Sequence, residues 1–280
     1  HFGSNLPGPL PPGGVRWWQM AVAGAASLDG REAGPSKRAV VVGATSAVGH
    51  HIVEALGEDA SWRQVLLVVR KETRDFDAVV GSSKITQRVL PDFDSLGTLG
   101  DELRGFDAMF CSLGAYMKKD GADMARKVDL EYVTACADLA EKCGIPSFVL
   151  LSAPEADASI PEGATGWQLY KRIKGLAVEA VLKKDIKFIY IFKPGILFGR
   201  FSAASTGSVR SKGNWDSFVN CLSCCCCCLT SNMGVQCSHL GAVMVSVAST
   251  RGGLLDESGG HATLDNSMIV RYRPPAASGP

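Results

Sequence analysis

Three polar side chains have types and spacing suited to proton transfer. Tyr170 stands four residues before Lys174 in a stretch with helical periodicity, and Ser152 directly follows the apolar run 148–151. Residues i and i+4 share a helix face, so we expect the Lys174 ammonium to lower the pKa of the Tyr170 phenol from its usual value of about 10. Ser152 would hydrogen-bond a substrate oxygen while Tyr170 exchanges the proton. The alternative is a helix with one surface lysine and one half-buried tyrosine.

A glycine-containing loop is predicted to hold a dinucleotide. The apolar run Val40-Val41-Val42 leads into Gly43, and Gly49 follows in a helical stretch. Glycine permits the tight turn and close helix packing, and helix-terminal N–H groups then face a pyrophosphate. Ser46 replaces the usual middle glycine, so the loop either stands farther from the phosphates or donates the Ser46 hydroxyl. An ordinary strand-to-helix turn is the alternative. The predicted contacts are Gly43, Thr45, Ser46, Ala47, Val48 and Gly49.

The remaining predicted cofactor contacts follow later strands. Arg70 and Lys71 end the second strand, where positive charge favours the 2'-phosphate of NADP over the 2'-hydroxyl of NAD. Solvated strand-end charges are the alternative. Asp92 and Phe93 are expected to flank the adenine, with the carboxylate accepting from its amino group. The other expected contacts are Leu113 and Gly114 beneath the cofactor, Tyr170, Lys174 at the nicotinamide ribose, and Pro194, Gly195 and Ile196. No metal ligand is predicted.

Alternating strand and helix signals predict the scaffold for these residues. The pattern favours an α/β fold with a doubly wound parallel sheet, a Rossmann fold, and a small C-terminal extension. Strands are predicted at 38–42, 64–70, 84–90, 107–113, 148–151 and 186–192, and helices at 47–56, 125–142, 167–184 and 240–249. A short extended piece is predicted at 267–272. The helix at 125–142 is expected to end at Cys143-Gly144, with Pro146 beyond it.

Composition excludes several classes of protein. The chain has 280 residues and a formal charge of +1, with scattered basic residues, so no nucleic-acid partner is expected. No apolar run approaches the roughly 20 residues of a membrane-spanning helix. The ten cysteines indicate a reducing compartment rather than a disulfide framework. The cluster Cys221, Cys224 to Cys228 and Cys237 lacks ordinary metal spacing, and an amphipathic segment at 215–229 with cysteine as filler is favoured over a metal site or palmitoylation.

Residues 1–37 differ in composition from the rest of the chain. They contain five prolines, are rich in glycine and lack sustained periodicity, which indicates a disordered or vector-encoded leader. Met20 would then be the natural start. Residues 38–280 form the NAD(P)-binding domain, in which a segment from about 200 to 280 is expected to lie on the substrate side.

The motifs carry a family resemblance. Ser152, Tyr170 and Lys174 match the catalytic positions of the short-chain dehydrogenase/reductase superfamily, and the chain more closely resembles its atypical Tat-interacting oxidoreductase group. The resemblance covers about residues 38–200. It rests on 43–49, Pro91-Asp92-Phe93, Cys111-Ser112-Leu113-Gly114, Val128-Asp129, Leu150-Leu151-Ser152 and Phe192-Lys193-Pro194-Gly195.

The resemblance implies a Rossmann fold that binds NADPH, and some members of the group are described as regulators of transcription, nuclear import or apoptosis. Two residues depart from the family pattern, Ser46 in place of the middle glycine and Lys193 in place of an arginine. Asp129 also stands where many relatives of the wider superfamily have an asparagine that completes a proton relay.

Two functions are hypotheses at this point. The first is an NADPH-binding oxidoreductase acting on an unidentified carbonyl or alcohol, with Tyr170 as acid/base. The second is a non-catalytic NADPH-binding regulatory or scaffold protein with protein partners. A nucleotide-sugar epimerase or dehydratase is a weaker third, because about 80 residues after Gly199 are few for a substrate domain. The expected location is the cytoplasm, with mitochondrial or nuclear association as alternatives.

Overall fold

The computed structural model describes residues 37–199, 234–250, 254–256 and 258–273. The predicted leader, apart from Lys37, and the cysteine-rich segment at 215–229 lie outside these ranges, so both remain predictions. Lys37 itself belongs to the first strand, one residue earlier than predicted.

The described residues form nine strands. They are β1 (Lys37–Val42), β2 (Trp62–Val69), β3 (Ile85–Val89), β4 (Ala108–Cys111), β5 (Ser147–Leu151), β6 (Phe188–Lys193), β7 (Ile196–Phe198), β8 (Gly234–Gln236) and β9 (Gly260–Asp265). Seven of them build one sheet in the order β3-β2-β1-β4-β5-β6-β9, and β7 pairs with β8. Every pairing is parallel, which confirms the predicted Rossmann-like α/β fold.

Six α-helices connect or cover these strands in the described ranges. They are α1 (Ala47–Glu58), α2 (Met117–Arg126), α3 (Tyr132–Cys143), α4 (Gly166–Leu182), α5 (Cys237–Ser249) and α6 (Asn266–Arg271). Short 3-10 helices occupy Ser82–Lys84 and Phe93–Leu99, and a π-helical turn spans Lys127–Glu131. No helix of the described segments is both long and apolar enough to cross a membrane.

The central strands of the sheet are buried on both faces, which explains the unbroken apolar run of β1. Val41 belongs to a cluster with α1, α5 and α6, whereas Val40 and Val42 belong to a second cluster with α3 and α4. Successive strand residues point to opposite faces, so a strand covered on both sides requires apolar residues throughout. The core therefore holds the strand ends in fixed positions.

The predicted helix at 125–142 is longer and less regular than expected. The observed helical stretch includes α2, passes through the π-helical turn and continues as α3. Its predicted end is confirmed, because Gly144 is left-handed at φ 66° and the N–H of Ile145 donates to the carbonyl of Ala140 at 2.9 Å. Glycine tolerates this conformation, which closes the last helical turn.

The predicted extended piece at 267–272 is wrong. Residues 267–271 lie in α6, and Tyr272 follows as its C-cap. Asp265 caps the start of this helix by accepting a hydrogen bond from the N–H of Met268 at 2.9 Å. A side-chain cap supplies a partner that the first turn otherwise lacks, and it outweighs the β-propensity of Ile269 and Val270. The extended segment lies immediately before, as β9, which pairs with β6.

Candidate functional site

The glycine loop after β1 is packed so closely that both glycines are required. A Cβ at Gly43 would stand 2.8 Å from the backbone carbon of Ser112, and φ at Gly43 is 90°. A Cβ at Gly49 would stand 2.1 Å from the Gly43 carbonyl oxygen. Loop, helix and the end of β4 therefore meet with no room for a side chain.

Ser46 and Ser112 lock this loop in place. The Ser46 hydroxyl caps α1 by accepting from the N–H of Gly49 at 3.0 Å, and it donates to the Ser112 hydroxyl at 3.3 Å. Ser112 in turn donates to the Gly43 carbonyl at 3.0 Å. The acceptor side of the Ser46 hydroxyl thus caps α1, and its proton is directed at Ser112; neither alternative considered for Ser46 included this capping role. The loop sits between β1 and β4, where the strand order reverses and where such sheets bind ligands.

The start of α1 offers hydrogen-bond donors. Gly49 is capped by Ser46, and the N–H of His50 bonds the Ser46 carbonyl at 3.0 Å. The N–H groups of Ala47 and Val48, in the first helical turn, have no intrahelical acceptor. These donors and the positive end of the helix dipole suit a pyrophosphate. Thr45, beside them, is exposed.

Arg70 and Lys71 directly follow β2 and are exposed. Neither makes a hydrogen bond or ion pair with another residue that the structure describes. Both residues follow the strand that pairs with β1, the strand that leads into the glycine loop, and their contact with a 2'-phosphate stays a prediction. Both side chains can therefore bind an anionic group.

Asp92 and Phe93 have separate structural roles. Asp92 caps the 3-10 helix by accepting from the N–H of Asp94 at 3.0 Å and also accepts from the Tyr132 hydroxyl at 3.2 Å. The N–H of Asp94 holds the pKa of Asp92 below its usual value. Phe93 is only 5% exposed and packs edge-on against Tyr132. Its ring belongs to the core, so a side-chain contact with adenine is not available at Phe93.

Other predicted contacts follow the carboxyl ends of β4 and β6. Gly114 is exposed and Leu113 partly so, directly after β4. After β6, Pro194 is buried, and the N–H of Gly195 donates to the Asn266 side chain at 2.9 Å. Ile196 is 53% exposed at the start of β7. All five residues thus follow the carboxyl ends of β4 and β6, and their contact with a cofactor stays a prediction.

Ser152 lies at the carboxyl end of β5, where its N–H donates to the Phe192 carbonyl at 2.8 Å. The residue is 7% exposed, and its hydroxyl has no hydrogen-bond partner among the residues described. An unpaired buried hydroxyl costs free energy, and such groups call for a functional explanation. A substrate oxygen would supply the missing partner.

Lys174 is buried and paired with Asp129. Its Nζ lies 2.5 Å from Asp129 Oδ1, and the exposed fractions of the two side chains are 7% and 0%. Asp129 Oδ2 also accepts from the N–H of Ala115 at 2.9 Å. Burial disfavours the ammonium, but the attraction of Asp129 holds the pKa of Lys174 above its usual value.

Tyr170 lies near Lys174, as predicted from the spacing. The Lys174 Nζ is 6.0 Å from the Tyr170 ring centroid, and the exposed Trp167 stacks on the same ring at 4.9 Å. The predicted lowering of the pKa is wrong, however. Burial raises the pKa of Tyr170, and Asp129 raises it further against the opposing effect of Lys174. Burial of the phenol therefore outweighs the lowering of its pKa by the Lys174 ammonium.

Two polar side chains, Asp129 and Ser112, were not predicted from the sequence to bond other residues of the site. The sequence identifies Asp129 only as a departure from a family pattern, and Ser112 only as part of a motif. No local spacing links Asp129 to Lys174. The sequence carries no signal for this pair, because Asp129 stands among the charged residues Arg126, Lys127 and Glu131, and only the folded structure buries it and so requires a cationic partner.

Comparison with known proteins places this geometry among nucleotide-binding folds. Residues 43–209 match the family described as NAD(P)H-binding. The chain is 33% identical over 165 residues to Protein HTATIP2 of Rattus norvegicus, covering 58% of this chain and 63% of that protein. It is 26% identical over 162 residues to "Protein FMP52-1, mitochondrial" of Scheffersomyces stipitis, covering 58% and 67%. The chain thus spans less than two thirds of the rat relative, whose similarity confirms the resemblance to the Tat-interacting group.

Among solved structures, the fold is similar to that of the Bordetella bronchiseptica enzyme WbmG in complex with NAD. The TM-score is 0.56 at 13% identity, and the match covers 81% of this chain and 72% of that one. At this identity the similarity supports the fold alone.

Proposed function

This chain belongs to the NAD(P)H-binding family, and on that premise we propose that it is an NADPH-dependent oxidoreductase of the atypical short-chain dehydrogenase type. The observation that carries the proposal is the position of Ser152, Tyr170 and Lys174. They follow β5 on the carboxyl edge of the same sheet that presents the glycine loop. A nucleotide on that loop would extend toward these side chains.

The residues present fit such a cofactor. The N–H groups of Ala47 and Val48 would hold the pyrophosphate, and Gly43 and Gly49 allow the backbone to pack around it. Arg70 and Lys71 would hold a 2'-phosphate, which favours NADP(H) over NAD(H). The carboxylate of Asp92 would accept from the adenine amino group beside the exposed turn.

The chain's own residues would handle the substrate oxygen. Bound NADPH supplies a hydride to a carbonyl carbon. The Ser152 hydroxyl would donate a hydrogen bond to the carbonyl oxygen, and Tyr170 would release its Oη proton to that oxygen. Lys174, fixed by Asp129, would stand close to the nicotinamide ribose. The substrate is therefore a carbonyl compound or, in reverse, an alcohol.

A second function is favoured by one observation, the raised pKa of Tyr170. Burial of the phenol raises its pKa and outweighs the lowering by the Lys174 ammonium, which is itself paired with Asp129. This arrangement suits a non-catalytic NADPH-binding regulatory or scaffold protein with protein partners. Either protein would act in the cytoplasm under our proposal, although the Scheffersomyces stipitis relative is named mitochondrial.

A carbonyl-reduction assay separates the two functions. We expect the purified chain to consume NADPH with at least one member of a panel of aldehydes and ketones. Tyr170→Phe should lower kcat by 100-fold or more, as general acid catalysis contributes about 10²–10⁴-fold. Tyr272→Phe removes a hydroxyl that bonds Ser246 on α5 and serves as the matched control. NADPH binding without turnover by any substrate would instead support the regulatory protein.

A further inference from the structure

We propose that Lys193 binds the carboxylate of the substrate beside Ser152, so that the site reduces 2-oxo acids to 2-hydroxy acids. This inference rests on the proposed oxidoreductase function and names its substrate class. Lys193 is then a specificity-determining residue, although in the sequence it stands out only as the replacement of an arginine.

Lys193 is the neighbour of Ser152 in the sheet. β5 and β6 pair in parallel register, and the N–H of Ser152 donates to the Phe192 carbonyl at 2.8 Å. Ser152 and Lys193 therefore stand side by side at a strand spacing of about 4.8 Å. Their side chains share a face of the sheet, because Leu150 and Ile191, each two positions earlier, both belong to the cluster with α3 and α4.

Two kinds of polar group thus meet at this point. Ser152 is 7% exposed, and its hydroxyl bonds none of the residues that the structure describes. That hydroxyl suits the oxygen of a substrate carbonyl, and the Lys193 ammonium on the next strand suits an anionic group close to the carbonyl carbon. In a 2-oxo acid, a carboxylate is attached directly to that carbon.

The Lys193 ammonium is only weakly engaged by the protein. Within the described ranges it makes one hydrogen bond, from Nζ to the Ala156 carbonyl at 3.4 Å, and no ion pair. This bond is long for an N–H···O contact, and an ammonium has three donors. The side chain is partly exposed. It therefore retains donors for a carboxylate.

The carboxylates near Lys193 are held by other donors. Two hydrogen bonds from Ser159, at 2.7 and 2.9 Å, and more weakly the charge of Lys193 hold the pKa of Asp157 below its usual value. Asp265 is the register partner of Lys193 on β9, but it accepts from the N–H of Met268 at 2.9 Å as the cap of α6. Neither carboxylate forms an ion pair with Lys193.

The cations of α4 are committed elsewhere. Lys171 and Lys174 each form an ion pair with a carboxylate, and Arg172 donates to two backbone carbonyls of the loop before the helix. Among the described cations next to Ser152 and Tyr170, Lys193 thus has neither an ion pair nor a short hydrogen bond. It is the best placed of them to bind an anionic substrate.

The reaction balances with these groups. The carbonyl carbon of the 2-oxo acid gains a hydride from NADPH, which becomes NADP. The Tyr170 Oη–H bond breaks as the new alcohol O–H bond forms, and the tyrosinate regains a proton from water. The product is a 2-hydroxy acid whose carboxylate remains on Lys193.

Calorimetric titration with oxamate tests the inference without turnover. Oxamate has the shape and charge of pyruvate, but its amide carbonyl is a poor hydride acceptor. We expect the wild type to bind it, and Lys193→Met to lose about tenfold or more in affinity, as for a lost hydrogen bond to a charged group. Lys193→Arg should retain or improve the affinity, because a guanidinium binds a carboxylate through two hydrogen bonds.

The matched control is Lys187→Met. Lys187 is an exposed lysine directly before the other end of β6, where its Nζ lies 5.1 Å from the Phe188 ring centroid. We expect this variant to bind oxamate as the wild type does. No oxamate binding by the wild type, or equal affinity in Lys193→Met, would overturn the inference.

Kinetics give the second readout. Pyruvate and phenylglyoxylate should be reduced with a higher kcat/KM than their methyl esters, and Lys193→Met should abolish this preference while leaving the esters within about threefold. If that variant does not fold, the absence of the preference in the wild type overturns the inference instead.

The inference and the proposed function fail in different ways. Absence of NADPH binding, or of turnover with every carbonyl compound, would reject the oxidoreductase, whereas oxamate titrated with and without NADPH would still decide the role of Lys193. Turnover of neutral aldehydes and ketones without preference for 2-oxo acids would reject only that role.

Discussion

Replacing Gly49 by alanine tests the packing of the cofactor loop most sharply. The added Cβ would stand 2.1 Å from the Gly43 carbonyl oxygen and 2.7 Å from the Ser112 hydroxyl, whereas Cβ atoms essentially never approach closer than 3.0 Å. The helix must therefore retreat from the loop by about 0.9 Å, the difference between 3.0 and 2.1 Å. The obstacle is backbone, which cannot rotate away as a side chain would.

The expected cost follows from this displacement. Overpacking costs about 1–3 kcal/mol, and alanine regains about 1 kcal/mol of helix propensity, so net destabilisation is about 0–2 kcal/mol. We expect the loss of free energy of NADPH binding to exceed this loss of folding stability. The donors of Ala47 and Val48 move with the helix, and losing even one hydrogen bond to a charged group costs about 1.5–3 kcal/mol, or tenfold or more in Kd.

Urea unfolding and fluorescence titration with NADPH measure the two effects. The control is Gly97→Ala, because a Cβ at Gly97 meets nothing within 4 Å. We expect this control to bind NADPH normally. Wild-type affinity in Gly49→Ala would refute the reasoning, since the loop would then tolerate a displacement that should withdraw its donors.

Two further predictions concern the amino-terminal edge of the sheet, where the end of α5 is hydrogen-bonded to the start of β2. Trp62→Phe removes the Nε1–H bond to the Ser249 hydroxyl at 2.9 Å and should cost about 1–2 kcal/mol in urea unfolding. Trp167→Phe, at an exposed tryptophan, is the control, and an equal loss in both variants would contradict the role of the Trp62 bond. Burial opposes ionisation of Asp59, but hydrogen bonds from Ser61 and Ser249 hold its pKa below the usual value. Its contribution to stability is therefore present above the unfolded pKa of about 3.9 and lost as pH falls through the folded pKa. Asp59→Asn should flatten the fall in urea midpoint between pH 5 and pH 3, about the range around that pKa, and an unchanged pH dependence would contradict this assignment.

Local signals predict the elements that position the site. The apolar run of β1, the Gly144 helix end and the i, i+4 spacing of Tyr170 and Lys174 each reflect short-range geometry, and the structure contains all three. β9 could not be predicted in the same way. Its residues are largely exposed and weakly patterned, and pairing with β6 defines it as a strand.

The electrostatics of the site needed the tertiary structure. The spacing of Tyr170 and Lys174 predicts proximity, but the sign of the pKa shift of Tyr170 depends first on the burial of its phenol, which only the folded structure shows. Phe93 shows the same limit, because only packing against Tyr132 places its ring in the core rather than beside a nucleotide.

The central claim is that this chain binds NADPH through the glycine loop and the cations after β2. The most direct test is titration with NADPH and NADH, following nicotinamide fluorescence, on the wild type and on the double variant Arg70→Ala, Lys71→Ala. Arg63→Ala removes an exposed cation at the other end of β2 and is the matched control. We predict that the double variant loses about tenfold or more in NADPH affinity, with NADH binding and the control unchanged. Failure of the wild type to bind either nucleotide would contradict the account.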